Sequence, residues 1–346
     1  MISEYLKLQS DYQQKYGKNT VVLYQVGCCY QIYEYDPNKD KNPPVWPTEK
    51  LGLAGVMSKL LGYTFTSINS NKPYSITNPN MVGFPTIAYD KHISNLLAKE
   101  YTVVVVDQKK DGNTITRQVS KVLSPATEIN DLSSIPVSNQ ILSIYIEVQK
   151  ETLKIENYLL TTGVSTIDVT TGNNTVAEIY SKPNDAIYAL QEIYRFLLSV
   201  QPREILVNIT GISKENKSKY EKYIINLFEL EKYPMYIILS NQVNKEYSNP
   251  NYHQQFLTKI FNTIKNKNKN KNLVIQTNNI IVEILGLERF HYGTICFIIL
   301  LQYCYEHNEN LVEKIQAPDT MWIDEDTHLV PTHNACLLYT SPSPRD

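Results

Sequence analysis

Three apolar, β-branched runs follow one another with only turns between them: ILSIYIEVQ from Ile141, YLLTTGVSTIDVTTG from Tyr158 and NTVAEIYS from Asn174. Runs of this length and composition read as strands, and TTGNNT between the last two reads as a tight turn. The pattern then changes to helix 183–200, strand EILVNI from Glu204, helix 214–230, strand MYIILS from Met235 and helix 252–264. Three hairpin-linked strands followed by alternating helices and strands predict an α/β sheet of the ribonuclease-H type over residues 139–276.

The stretch before it is also mixed α/β. Tyr5, Leu8, Tyr12 and Tyr16 recur at helical spacing, and Gly17-Lys18-Asn19 ends that helix. A strand over 21–26 follows, then strand-like alternation to Tyr35 and a loop at 36–44. Helices are expected at 51–61 and 91–100, and YTVVVVDQ, DGNT and ITRQVSKVLS read as strand, turn and strand. Residues 1–128 form a first unit, joined to the second through the polar linker EINDLSSIPVSNQ. KNKNKNKN (265–272) reads as a solvated insertion rather than a binding patch. From 277 the apolar spacing is helical, and 277–335 is expected to begin an all-α domain. Residues 336–346, ending in SPSPRD, read as a non-native or truncated tail.

With 346 residues the chain is long enough for two or three cores. A net charge of −2 argues against a uniformly basic surface, although one basic face can sit within a neutral total. Five scattered cysteines with no CxxC spacing suggest a reducing compartment without a disulfide framework. The N-terminus has mixed charge and is no secretory signal. The longest apolar run, TICFIILLQYCY, is too short to span a bilayer, so a soluble intracellular protein without membrane contact is expected.

Several motifs, in order, carry a family resemblance. YQVGCCYQIYEYD (24–36) aligns without gaps to Y-x-M-G-D-F-Y-E-L-F-x-x-D, MVGFP (81–85) to M-A-G-V-P, and YTVVVVDQ to G-Y-x-V-A-x-x-E-Q. TRQVSKVLSPAT (116–127) aligns to K-R-E-V-x-R-x-V-T-P-G-T. STIDVTTG followed by QPREILV is similar to a connector domain, and THLVPTHNA to the start of a clamp-bearing helical domain. The chain thus resembles the N-terminal half of MutS DNA mismatch-repair proteins, most of all the giant-virus and coral-mitochondrial branch. The resemblance implies mismatched or bulged duplex DNA as partner and a homodimer at full length. It also implies an ATPase using ATP and Mg. No G-x-x-x-x-G-K-[ST] occurs here, so lever, clamp and ATPase are expected beyond the break and no cofactor is expected in this stretch.

The family inserts a phenylalanine at a mismatch, with a glutamate two residues on accepting a hydrogen bond from the base. Unstacking a weakened step costs little, and the kinked duplex wraps more protein. Here the phenylalanine position is Cys29 and the glutamate position Gln31. Cysteine has no π-face, and aromatic stacking on a base is worth about 1–3 kcal/mol. Gln31 keeps an acceptor oxygen but loses the charge. Three readings stay open. The unit bends DNA without sensing mismatches, or Tyr30 is the wedge, or the cysteine pair is an error in the sequence as written. Met81 and Phe84, in MVGFP, complete the DNA-binding set, and Cys28 reads as a small buried residue.

Other residues admit plainer readings. Asp168 sits where ribonuclease-H-like nucleases keep a metal-binding carboxylate, with Glu178 and Asp185 as the nearest companions; the plainer role is a turn cap. Lys59, Arg117 and Lys121 could meet phosphates or merely solubilise, and His92 and His291 read as ordinary surface or helix residues. DNA binding thus stands against two alternatives, a metal-dependent nuclease and a protein-docking scaffold.

Overall fold

A computed structural model describes residues 1–111, 114–127, 139–152, 154–182, 185–243, 245–267, 281–307 and 314–322. The linker 128–138, most of the KNKN tract, THLVPTHNA and the tail lie outside the described residues.

The first sheet is built from β1 (Thr20–Val26), β2 (Cys29–Tyr35), β3 (Leu51–Gly52), β4 (Thr66–Ser67), β5 (Asn80–Pro85), β6 (Thr102–Asp111) and β7 (Thr114–Leu123). Its order is β4-β5-β2-β1-β6-β7, with β3 on β2. Only β1 and β6 pair in parallel, as their long crossover connection permits. Three helices cover it: α1 (Ile2–Tyr16), α2 (Ala54–Leu61) and α3 (Tyr89–Ala98). The apolar spacing of α1 buries Tyr5, whose ring meets Tyr24 and Tyr33 edge-on at 5.9 and 4.9 Å. Gln9 fastens the helix to the sheet. Its Nε2 donates to Thr20 O at 2.6 Å, and its Oε1 accepts from Val22 N at 2.9 Å.

The second sheet joins β8 (Gln140–Lys150), β9 (Leu159–Asp168), β10 (Asn174–Tyr180), β11 (Glu204–Thr210), β12 (Met235–Ser240) and β13 (Asp319–Trp322) in the order β12-β11-β8-β9-β10-β13. The pairs β8–β9 and β9–β10 are antiparallel, and β11 lies parallel to both β8 and β12. This is the mixed sheet that the strand pattern predicts. Alternation along β8 sends Leu142, Ile144, Ile146 and Val148 into one core with α4 (Tyr188–Val200) and α5 (Lys217–Leu227). The other face carries Tyr145 against Ile295 and Cys296 of α8 (His291–His307).

The expectation that the last described segment is all helix is corrected. Helical character holds for α7 (Ile281–Ile284) and α8, but Asp319–Trp322 is a strand, paired in parallel with β10. The apolar side chains of α8 are covered by the described chain itself. Ile295 is 1% and Ile298 0% exposed. A helix that is apolar all round must be covered on every side, and α8 lies across β8, β9 and β10 while its far end reaches the first unit. There Tyr16 donates to Glu306 Oε2 at 2.9 Å, and the Tyr16 and Tyr303 rings meet at 6.0 Å. A single apolar cluster runs from the first sheet through α8. Buried Glu204 is a second tie, accepting from Ala126 N at 2.6 Å, Ser124 Oγ at 3.2 Å and Tyr303 OH at 3.0 Å.

Buried His307 gives this contact a pH dependence. Its Nδ1 lies 2.8 Å from Tyr303 O, and burial lowers the imidazole to about 4. A depressed histidine stabilises the fold above its ordinary value near 6.5, and that contribution is lost as pH falls toward 4. Urea unfolding between pH 7 and 4 should show a decline of about 3 kcal/mol from this group. His307→Gln should flatten that part of the profile, and an equally steep decline in the variant would contradict the assignment.

Candidate nucleic-acid interface

The hairpin between β1 and β2 turns on two residues, Gly27 and Cys28. Gly27 has φ +61° and Cys28 is not among the positive-φ residues. Positive φ at the first turn position alone is the II′ pattern, whose twist suits two adjacent strands. The turn is anchored: Gly27 N donates to Gln108 Oε1 at 3.1 Å, and Thr86 N to Cys28 O at 2.9 Å. Cys28 is exposed at the tip, not the buried residue its type suggests. Cys29 opens β2, half-buried, opposite Val26 on one side and Pro85 on the other.

Register assigns the predicted residues to faces. Gln31 pairs with Tyr24 and Gly83, and Tyr33 with Met81. Cys29, Gln31 and Met81 therefore share the face that α1 packs on. α1 covers Tyr24 and Tyr33, while Cys29 and Gln31 toward the hairpin, and Met81 on β5 beside Tyr33, remain half-exposed. Gly83 has no side chain to fill the strip between them, where an added Cβ would lie 3.4 Å from Gln31 Cγ and 3.5 Å from Met81 Cε. The Tyr33 hydroxyl donates to Gln31 Oε1, which orients the amide.

Tyr30 and Phe84 face the other way and need correction as contact residues. Tyr30 is 7% exposed, its hydroxyl donates to Asp107 Oδ1 at 2.7 Å, and its ring lies 5.9 Å from Phe84 and 5.3 Å from Tyr89. Phe84 is fully buried against the His92 ring at 4.7 Å. Neither ring is free to enter a base step. His92 is likewise buried, 3.1 Å from Tyr63 OH.

Arg117 joins the exposed face. Its Nε donates to Gln25 O at 2.9 Å, its Nη2 to Gln108 Oε1 at 3.2 Å, and its guanidinium lies over the Tyr24 ring at 5.3 Å. It shares the Gln108 acceptor with the hairpin turn, so a fixed positive charge stands behind the tip. Lys59 and Lys121 are exposed elsewhere on the unit. Ile87, directly after Thr86, is 95% exposed, and its one signal in the sequence is a branched apolar residue two positions after Pro85. Burial and the neighbouring Cys28 sulfur push the Cys29 thiol up.

The carboxylates of the second sheet do not converge. Asp168 Oδ1 accepts from Thr170 N at 2.8 Å, the turn-capping role. Glu178 Oε2 accepts from Tyr292 N at 2.7 Å and Gly293 N at 3.0 Å, bonding the first turn of α8. Asp185 Oδ1 accepts from Tyr188 N at 3.1 Å. Among the described residues no group of three or more His, Cys, Asp or Glu could hold a metal ion, and no helix is long and apolar enough to cross a membrane.

A family profile described as MutS domain I matches residues 54–131, from the start of α2 onward, so the β1–β2 hairpin lies before the matched stretch. The chain is 28% identical to a DNA mismatch repair protein mutS homolog of Acanthamoeba polyphaga mimivirus, over 96% of this chain and 28% of that protein. It is 25% identical to the mitochondrial DNA mismatch repair protein mutS homolog of Sarcophyton glaucum, over 91% of this chain and 32% of that protein. DNA mismatch repair protein MutS of Fusobacterium nucleatum is 25% identical over 66% of this chain and 24% of its own length. The chain thus spans under a third of the length of these curated relatives.

Proposed function

We propose, for a chain that carries a MutS domain I and matches mutS homologues along most of its length, that it is the duplex-binding part of a mismatch-repair protein. In this reading residues 1–128 meet DNA through the uncovered end of the first sheet, and 139–276 act as a connector. The observation that carries it is the shared exposure of Cys29, Gln31 and Met81 on one face, with Arg117 fixed behind it. Ile87 adds apolar surface beside the tip. Phosphate contacts supply most of the affinity, so binding falls steeply with salt and ignores sequence. Cys29 cannot stack on a base, so bulged and matched duplexes bind almost alike.

Homodimer formation and the ATP and Mg chemistry of the family belong to this reading only through residues outside these 346; no phosphate-loop motif is present to hold a nucleotide. Nuclease chemistry is disfavoured because Asp168, Glu178 and Asp185 are each committed to separate backbone donors.

The test is equilibrium binding of a one-base-bulged and a matched duplex at one fixed salt concentration. Cys29→Phe should strengthen bulge binding by about 1–3 kcal/mol, the worth of one stacked ring, with little change for matched duplex. Adding Gln31→Glu should widen the gap by repelling phosphates of the unkinked duplex. A strong bulge preference in the unsubstituted chain that Cys29→Phe leaves unchanged would sink the reading.

A further inference from the structure

We propose that Cys28 and Cys29 form a vicinal dithiol site that chelates monosubstituted trivalent arsenicals. Their Sγ atoms lie 4.0 Å apart at the exposed hairpin tip. A soft centre bonded to sulfur at about 2.3 Å, the zinc–thiolate length, holds two sulfurs about 3.3–3.8 Å apart over pyramidal to tetrahedral angles. A small side-chain rotation closes that gap and leaves the backbone in place.

The surroundings favour chelation over the other fate of paired thiols. The turn beneath the sulfurs is pinned by Gly27 N to Gln108 Oε1 and by Thr86 N to Cys28 O. A disulfide between neighbours must form across Cα atoms about 3.8 Å apart, short of the roughly 4.4–6.8 Å usual for a bridge, and would distort this turn. One inserted atom relieves the constraint. Arg117 shares the Gln108 acceptor behind the turn and so helps to hold the backbone beneath the sulfurs. The two sulfurs share one S–H contact in which either can donate, and burial together with Cys28 pushes the Cys29 thiol up.

The step conserves oxidation state. With the hydrated arsenoxide R–As(OH)2, each sulfur forms one As–S bond as one As–O bond breaks. Each thiol proton leaves with the departing hydroxide as water. Arsenic stays trivalent, two waters are released, and no oxidant or reductant is required. The other described thiols do not compete: Cys296 and Cys304 are fully buried on α8, and burial pushes Cys296 up to about 12. The dithiol site stands without the DNA reading. Its consequence, an aryl group where duplex meets the tip, rests on that reading.

The probe is phenylarsine oxide, added at one equivalent to the chain carrying Cys336→Ser, with intact-mass and alkylation mapping. One adduct per chain is expected. Both Cys28 and Cys29 should be protected from iodoacetamide, and ethanedithiol should release the arsenical. Cys28→Ser and Cys29→Ser should each weaken retention by about 100-fold or more, the scale of a lost second attachment. Equal retention by either variant, or free alkylation of both cysteines in the adduct, overturns the proposal; the mapping on unsubstituted cysteines serves even where a variant is unstable. A duplex-binding arm separates the two claims. An adduct with lowered duplex affinity supports both. An adduct with unchanged affinity supports the dithiol site and overturns the placement of the tip on DNA. Normal duplex binding without an adduct overturns the site alone.

Discussion

Phe84→Ala is expected to lower the free energy of unfolding by about 3–5 kcal/mol, the range for truncating a buried aromatic ring, and to leave the relative affinity for bulged and matched duplex as it was. Phe84 is fully buried, with the rings of Tyr30, Tyr63 and His92 at 5.9, 6.2 and 4.7 Å. Removing it leaves a cavity among aromatic side chains that cannot collapse without moving the β2–β5 ladder. The sequence reading made Phe84 a DNA contact, which predicts the reverse: little loss of stability and a loss of affinity. Urea unfolding followed by circular dichroism, together with binding of both duplexes under native conditions, separates the two. A cost below about 1 kcal/mol, the scale of a surface substitution, would contradict the burial.

Gly163→Ala should cost about as much by the opposite mechanism, overpacking. Gly163 faces the first turn of α8, and a Cβ there would fall inside the contact distance of Tyr292 O and within 2.8 Å of Gly293 N. The obstruction is backbone, so no side-chain rotation relieves it. α8 must lift, and the Glu178 carboxylate then loses its bonds to Tyr292 N and Gly293 N. Overpacking of about 1–3 kcal/mol and the unmet Oε2 of a buried carboxylate, about 1–3 kcal/mol, together give roughly 2–6 kcal/mol. Elsewhere in a strand the same substitution is mildly favourable, because glycine costs more conformational entropy. Hydrogen exchange should show the loss first at the N-terminal end of α8. An unchanged unfolding midpoint would mean that this helix does not dock on β9 as described.

Helix α8 also shows where sequence stops short. Its spacing of apolar residues declares a helix, and the structure buries Ile295, Cys296, Phe297, Ile298 and Leu300 within it. What buries it was not legible, because apolar periodicity names a face and not its partner. The partners are Tyr145 and Gly163, more than a hundred residues upstream in the chain, and the trough they line depends on Ser143, Gly163 and Ser165 all pointing to one side of the second sheet. The edge strand Asp319–Trp322 was missed for a related reason. Four residues carry almost no period, and only their partner, β10, makes them a strand.

Local chemistry determined the elements. β-branched runs between turn residues set the strands, Gly27 set the hairpin, and apolar spacing set α1, α4 and α6 (Pro250–Lys267) to within a few residues. The order of those elements then limited the second unit to one kind of mixed sheet, and the ordered motifs carried the family resemblance. The candidate interface was half legible. Alternation showed that Cys29 and Gln31 point one way and Tyr30 the other. It could not show which way is out, because both sets are flanked by tyrosines and aliphatics that suit a core. That choice was made by α1, which covers Tyr24 and Tyr33 but stops short of the hairpin, and by Asp107 and Phe84, which draw Tyr30 inward. Exposure is a property of what packs on a face, and those residues come from distant parts of the chain. The period of two comes from the backbone of a single strand and needs no tertiary partner.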